Sequence, residues 1–189
     1  MNTFVTSDLH FFHKNIIKYC PESRLFESVE DMNESIIRNW NEKVSSDDIV
    51  YILGDVSFGP AKETVQILKR LNGTKRLVIG NHDHKIIRSP VFCSMFDWVK
   101  LYNVEFFNDK MVVMFHFPIE SWDQKHRGSY HLHGHMHSKN SETLPSRRYD
   151  CGLDGNACQL YNINELLDDI ENRLSKEPKF CHHGREITG

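Results

Sequence analysis

The chain of 189 residues contains no apolar run approaching the roughly 20 residues that cross a bilayer. Its longest candidates, such as "MVVMFHF" at 111–117, are the size of a strand, so no membrane partner is expected. A large charge of one sign is also missing, with a formal net charge of -3 and a pI near 6.4. Without bulk basicity a polyanion is poorly held, and the small basic groups "KRLNGTKR" and "PSRRYD" read as solvated surface. A nucleic-acid partner is therefore not favoured, whereas a small phosphorylated ligand is allowed. Cysteines number five, at Cys20, Cys93, Cys151, Cys158 and Cys181, an odd count without a Cys-x-x-Cys pair. They read as buried thiols in a reducing compartment. The start "MNTFVTSDLH" lacks the charged segment and apolar run of a signal peptide, so a cytoplasmic location is expected. Internal repeats and low-complexity linkers are absent too, which leaves one domain over residues 1–175 and a C-terminal tail over 176–189 read as surface or flexible.

What is present is an alternation of short β-branched runs with amphipathic segments, the pattern of an α/β domain. "NTFVTS" reads as a first strand. In "SVEDMNESIIRNWNEKV", Ser28 is placed to cap a helix with Asp31 at the capping-box spacing, and Met32, Ile36, Ile37 and Trp40 form its apolar stripe. "DIVYILGD" and "KRLVIGNHD" are strands flanking the helix "AKETVQILKRLNG", expected to stop at Gly73, and the trio predicts a parallel right-handed crossover. "WVKLYNVEFF", "KMVVMFHF" and "SYHLHG" predict a meander-like set of strands. "YDCGLDG" adds a strand and its turn, and "NINELLDDIENRLSK" a last helix capped by Asn162 or Asn164.

Polar residues gather where these strands end. Asp8 and His10 follow the first strand, Asp55 the second, Asn81, His82 and Asp83 the third, His116 the "MVVMF" strand, and His135 with His137 the "SYHL" strand. Loops at the carboxyl ends of strands can converge on one crevice, so these dispersed groups are candidates for a common site. Carboxylate, imidazole and amide without thiolate suit Mn, Fe, Zn, Ni or Mg rather than a Cys-rich structural zinc.

The order of these pieces, "DLH" at 8–10, "GD" at 54–55, "GNHD" at 80–83, His116 in "MFHFP" and "GHMH" at 134–137, resembles the signature of the calcineurin-like metallophosphoesterases, in a compact bacterial and phage form. The match spans about residues 3 to 155. The resemblance implies a four-layer sandwich of two mixed β-sheets flanked by α-helices, with two divalent metal ions at the strand ends. Manganese is the first expectation, with Fe, Ni, Zn or Mg as alternatives. By the same resemblance Asp8, His10 and His137 hold one ion, Asn81, His116 and His135 the other, and Asp55 bridges them. A carboxylate has the two oxygens that cations about 3.5–4 Å apart require. The implied reaction is hydrolysis of small phosphomonoesters or phosphodiesters, nucleotides or cyclic nucleotides among them, by a metal-bridging hydroxide with His82 as the acid. A nuclease or nucleic-acid phosphatase, and a non-catalytic scaffold on the same fold, are the alternatives.

One departure concerns His82. Related protein phosphatases orient this histidine with an aspartate three residues after the Gly-Asp pair, where this chain has Phe58; Asp83 or a backbone carbonyl is the substitute expected here. His116 has competitors in His84, His126 and His131. Three further residues are candidates for contact with substrate. His13 lies three positions past His10. Arg127 sits with Lys125 and His126 in the polar insertion "ESWDQKHRGS", readable as a lid. His133 reaches either a substrate phosphate or the layer behind the ligands, and His131 reads as a structural strand residue. The tail residues Cys181, His182 and His183 read as surface.

Overall fold

A computed structural model describes residues 1–137 and 146–176. Its first sheet is built from β1 (Thr3–Thr6), β2 (Ile49–Ile52), β3 (Thr74–Val78), β4 (Val99–Lys100) and β9 (Tyr161–Asn162), in the order β4-β3-β2-β1-β9. The neighbours from β4 to β1 are parallel and β9 is antiparallel. The second contains β5 (Tyr102–Phe107), β6 (Lys110–Phe115), β7 (Tyr130–His133) and β8 (Arg148–Asp150) in chain order; β5 and β6 are antiparallel, β6 through β8 parallel. Both sheets are mixed, as expected.

Side chains alternate across each strand, and this sorts the core into two bodies. Phe4, Val50, Ile52 and Leu77 of the first sheet pack with Met32, Ile36 and Trp40 of α2 (Val29–Lys43) and Val65 and Leu68 of α3 (Ala61–Leu68). Val5, Tyr51, Leu53 and Val78 on the opposite face meet Val112, Met114, Leu132 and Tyr149 of the second sheet. Leu166, Leu167 and Ile170 of α5 (Ile163–Lys176) join that body. The outer face of the second sheet, with buried Val113 and His131, is covered by the segment before β7, where Trp122 lies 5.4 Å from the His131 ring. Two short helices complete the set, α1 (Ile16–Tyr19) after Asn15 and α4 (Pro90–Cys93) after Ser89.

Helix ends follow local chemistry. Ser28 Oγ accepts from the Asp31 amide, while the Asp31 carboxylate reaches the Glu27 amide, one position ahead of the reciprocal bond of a capping box. Asn162 Oδ1 accepts from the amides of Asn164 and Glu165, so the cap of α5 is Asn162. The third helix stops at Leu68, short of Gly73, because Asn41 of α2 bonds the Arg70 carbonyl and the Asn72 amide and offers that stretch a non-helical alternative.

The meander expectation is corrected. "WVKLYNVEFF" divides at exposed Leu101, giving β4 to the first sheet and β5 to the second. Only β5 and β6 form a hairpin, turned by Asn108 and Asp109, both at positive φ as a two-residue hairpin turn requires. The segments between β6 and β7 and between β7 and β8 are long enough to cross over, so those strands pair in parallel. Cys151 and Cys158 are buried as expected, whereas Cys20 and Cys93 are half-buried. The tail residues Cys181, His182 and His183 lie outside the described residues.

Candidate metal centre

The carboxyl ends of β1, β2 and β3 open on the same crevice as those of β6, β7 and β8. Beyond the strands the ladder continues through the loops, with the Asp8 amide bonding Gly54 O, the His10 amide Asp55 O and the Gly134 amide His116 O. Ser7 and Gly152 form an isolated parallel bridge that ties the two sheets together beside the site. The loops turn through backbone conformations that L-residues rarely adopt. Asp8, His10, Asp55, His135 and His137 all have positive φ, between 50° and 73°. Such strain concentrates where a constellation of side chains is held against local preference.

Two clusters of potential ligands result. In the first, His10 Nε2 lies 3.6 Å from Asp8 Oδ1 and 3.2 Å from His137 Nε2, with His137 Nε2 3.8 Å from Asp8 Oδ1. In the second, Asn81 Oδ1 lies 2.8 Å from His116 Nε2 and 3.0 Å from His135 Nδ1. Asp55 Oδ2 stands between them, 3.8 Å from His10 Nε2 and 3.5 Å from His116 Nε2. All seven residues inferred from the resemblance are thus brought together, and His116 rather than His84, His126 or His131 completes the second cluster.

The donor chemistry fits cations. His116 Nδ1–H donates to Leu53 O at 2.6 Å and His137 Nδ1–H to Asp154 Oδ2 at 2.8 Å, so each ring turns the lone pair of Nε2 toward the carboxylates. Asp8 Oδ1 is buried without a hydrogen-bond partner. Ligand bonds of about 2.0–2.2 Å place neighbouring ligand atoms roughly 3–3.5 Å apart, close to the spacing seen. Electron pairs converging at this distance are mutually repulsive until a cation or proton stands among them. The charge balance agrees. Burial pushes the Asp8 carboxyl up, but the imidazole of His10 close beside it and the charges of His137 and His116 outweigh it and bring it down to about 2. Burial likewise opposes ionisation of Asp55, and His116 overcomes it, leaving that carboxyl below the usual range.

Three groups outside the sequence expectation hold the first cluster. Arg24, fully buried, donates from Nε and Nη2 to the two oxygens of Asp154 at 3.0 and 2.9 Å. The same guanidinium donates to the carbonyls of Asp8 at 2.6 Å and Leu9 at 3.2 Å, and Ser23 Oγ donates to Asp154 at 2.5 Å. Burial raises the Asp154 carboxyl, yet His137, Arg24 and Ser23 together hold it far below the usual range. Asp154 follows β8, a sixth strand end that meets the site; its place in "YDCGLDG" was the available signal. "PESR" offered none for Arg24.

His82 sits at the rim, its side chain 46% exposed, with Nε2 3.9 Å from Asp55 Oδ2 and its backbone amide donating to Asp55 Oδ1 at 2.9 Å. Asp83 does not orient this ring. Its carboxylate accepts the amides of Asp55, Val56 and Gly80 at 2.8–2.9 Å, clamping the loops after β2 and β3, and burial pushes it up to about 6. The ring packs instead against Phe58, centroids 4.6 Å apart. His13 also reaches the rim, 5.3 Å from His10 and stacked on Phe58; burial and the neighbouring imidazoles lower it to about 4.

Two of the tentative substrate residues are corrected. His133 is buried and donates from Nδ1 to Gly134 O at 2.8 Å, which puts it in the layer behind the ligands, one of the two places expected for it. Arg127 lies in the 3-10 turn ahead of β7 and lines a separate cavity with Lys110, Tyr130 and Arg147. The length of β7 separates it from His135, so the lid reading of this insertion is not supported.

A family model of calcineurin-like phosphoesterases matches residues 1–179. The uncharacterized protein MJ1445 of Methanocaldococcus jannaschii is 35% identical over 75% of this chain and 73% of its own. The gene 66 protein of Mycobacterium phage L5 is 29% identical over 93% and 97%. Among solved structures, the protein of unknown function AQ665 from Aquifex aeolicus superposes with a TM-score of 0.70 at 23% identity, covering 89% of this chain and 98% of that one, and shares the fold. Chain-wide agreement of sequence and strand-end ligands makes the protein a member of the calcineurin-like phosphoesterase family, a metal-dependent hydrolase of phosphoric esters.

Proposed function

We propose that the protein hydrolyses small phosphomonoesters or phosphodiesters, nucleotides or cyclic nucleotides among them, at a centre of two divalent cations, manganese first among Mn, Fe, Ni, Zn and Mg. The carrying observation is Asp55 Oδ2, placed within 3.8 Å of one ligand nitrogen in each cluster. Cations bound there supply Lewis acidity to the phosphoryl oxygens and acidify the attacking water. Asp8, His10 and His137 hold one side, Asn81, His116 and His135 the other, and Asp55 joins them. Water oxygen bonds to phosphorus as the ester P–O bond breaks, and the departing oxygen takes a proton from His82 Nε2. A cysteinyl nucleophile is disfavoured, since burial and Asp154 push the Cys20 thiol up to about 11.

The complete ligand set weighs against a scaffold without activity, and the net charge of -3 weighs against a nuclease or nucleic-acid phosphatase. A small phosphorylated metabolite in the cytoplasm is the partner this reading favours. The test is turnover of p-nitrophenyl phosphate and bis-p-nitrophenyl phosphate after Mn addition. Asp55→Asn and His82→Ala are each expected to lower kcat at least about 100-fold. Turnover that ignores metal, or survives both substitutions, rejects the proposal.

A further inference from the structure

The rim beside His82 continues into a cavity of about 470 Å³ lined by Phe58, Pro60, Asn81, His82, His84 and Lys85. Its volume falls within the range of small-molecule sites, and it opens on the side of the centre where the proposed acid stands. Phe58 is 43% exposed there. Its ring stands half in water beside the cavity, where an aromatic ligand can reach it. His13 covers one face of Phe58, its ring 3.8 Å away and only 11° from parallel, so the phenyl is held in place before any ligand arrives. Exposed Tyr19 extends the aromatic rim, 6.1 Å from His13. The exposed side chains of His84 and Lys85 also line the cavity and offer hydrogen-bond donors.

From this arrangement we infer that the leaving group is a nucleoside, its base stacked on Phe58 and its carbonyls or sugar hydroxyls bonded by His84 and Lys85. The inference rests on the reading of His82 as the acid, because the group that accepts its proton must lie beside that ring. An aliphatic alcohol would leave the phenyl in water and gain nothing from the pre-set ring. A polymer would run past the cavity with no basic track to follow. Phe58 is therefore a specificity residue, at the position where the resemblance to protein phosphatases implies an orienting aspartate and this chain offers a stacking surface.

The experiment compares two hydrolysis-resistant ligands, adenosine 5′-phosphonate and ribose 5-phosphonate, by calorimetry on Mn-loaded protein. The second carries an anomeric hydroxyl where the first carries the base. The base is expected to tighten binding by about tenfold or more, the usual weight of one base on an aromatic ring. Phe58→Leu keeps an apolar side chain against His13 and His82 and is expected to remove most of that preference, while Lys85→Ala weakens adenosine 5′-phosphonate several-fold. Equal binding of the two ligands, or a preference that survives Phe58→Leu, overturns the inference, as does binding of neither. Turnover of bis-p-nitrophenyl phosphate on the same samples shows whether the failure lies in the nucleoside site or in the metal centre.

Discussion

Asp154 reaches the first cluster through its hydrogen bond with His137. Its carboxylate fixes the tautomer of that ring, and Arg24 fixes the carboxylate. Asp154→Asn replaces one acceptor oxygen by an amino group that faces donors, so affinity for the cation held by Asp8, His10 and His137 is expected to fall about 10–100-fold. Titration with Mn followed by electron paramagnetic resonance checks this; the cluster of Asn81, His116 and His135 should keep its affinity. A different kind of residue governs acid sensitivity. His131 is fully buried, and burial lowers it to about 4 from an ordinary 6.5. Between those values the unfolded chain binds a proton that the folded chain refuses. Stability from this group is therefore whole above about pH 6.5 and lost as pH falls toward 4, on the order of 3 kcal/mol. Urea unfolding from pH 7.5 to 4.5 should show a shallower decline in His131→Gln than in the parent. The ligands were legible at this scale because each sits in a short motif after an apolar run. Arg24 was not, since what marks it is burial against a residue 130 positions away.

At the scale of elements, the loops after β2 and β3 behave as one piece. Asp83 accepts three amides across them, and Gly80 lets their backbones touch. A Cβ on Gly80 would fall 2.2 Å from Asp55 Oδ1 and 2.5 Å from Asp55 N. Gly80→Ala is expected to cost about 1–3 kcal/mol of stability through overpacking, and to abolish most activity by displacing Asp55. Urea unfolding and Mn-dependent turnover measure the two effects separately. The strands themselves were visible as β-branched runs between turn signals. Their partners were not, because a run such as "KMVVMFHF" has the same period whether its neighbour is parallel or antiparallel. The length and path of the crossover decide that, and the division of "WVKLYNVEFF" between two sheets depends on contacts made far away in the chain.

For the whole molecule, the centre is a store of repulsion that cations relieve. Asp8 and Asp55 oppose each other's ionisation, and both sit at positive φ together with His10, His135 and His137. Metal binding to the folded chain should therefore raise stability by about 2.7 kcal/mol per site at 100 times Kd. For a chain of this size that is a rise in Tm of about 5–10 °C per site. Scanning calorimetry after chelation and again after Mn addition checks the shift; an unchanged Tm would mean that the folded chain holds no cation tightly. The fold class was legible from the alternation of strands and helices, while the seal between sheets at Ser7 and Gly152 was not, being a matter of one isolated bridge.

The bond between Arg24 and Asp154 also sets a timetable. During synthesis, the part of the chain that carries Asp8 and His10 leaves the ribosome well before its partners exist, since 127 residues separate His10 from His137. At about 5–20 residues per second, that interval is roughly 6–25 s. Through it Arg24 has no carboxylate to pair with and the loop of Asp8 and His10 has no histidine to face. The nascent chain must therefore wait with its first half unfinished, and its catalytic power arrives in one late step.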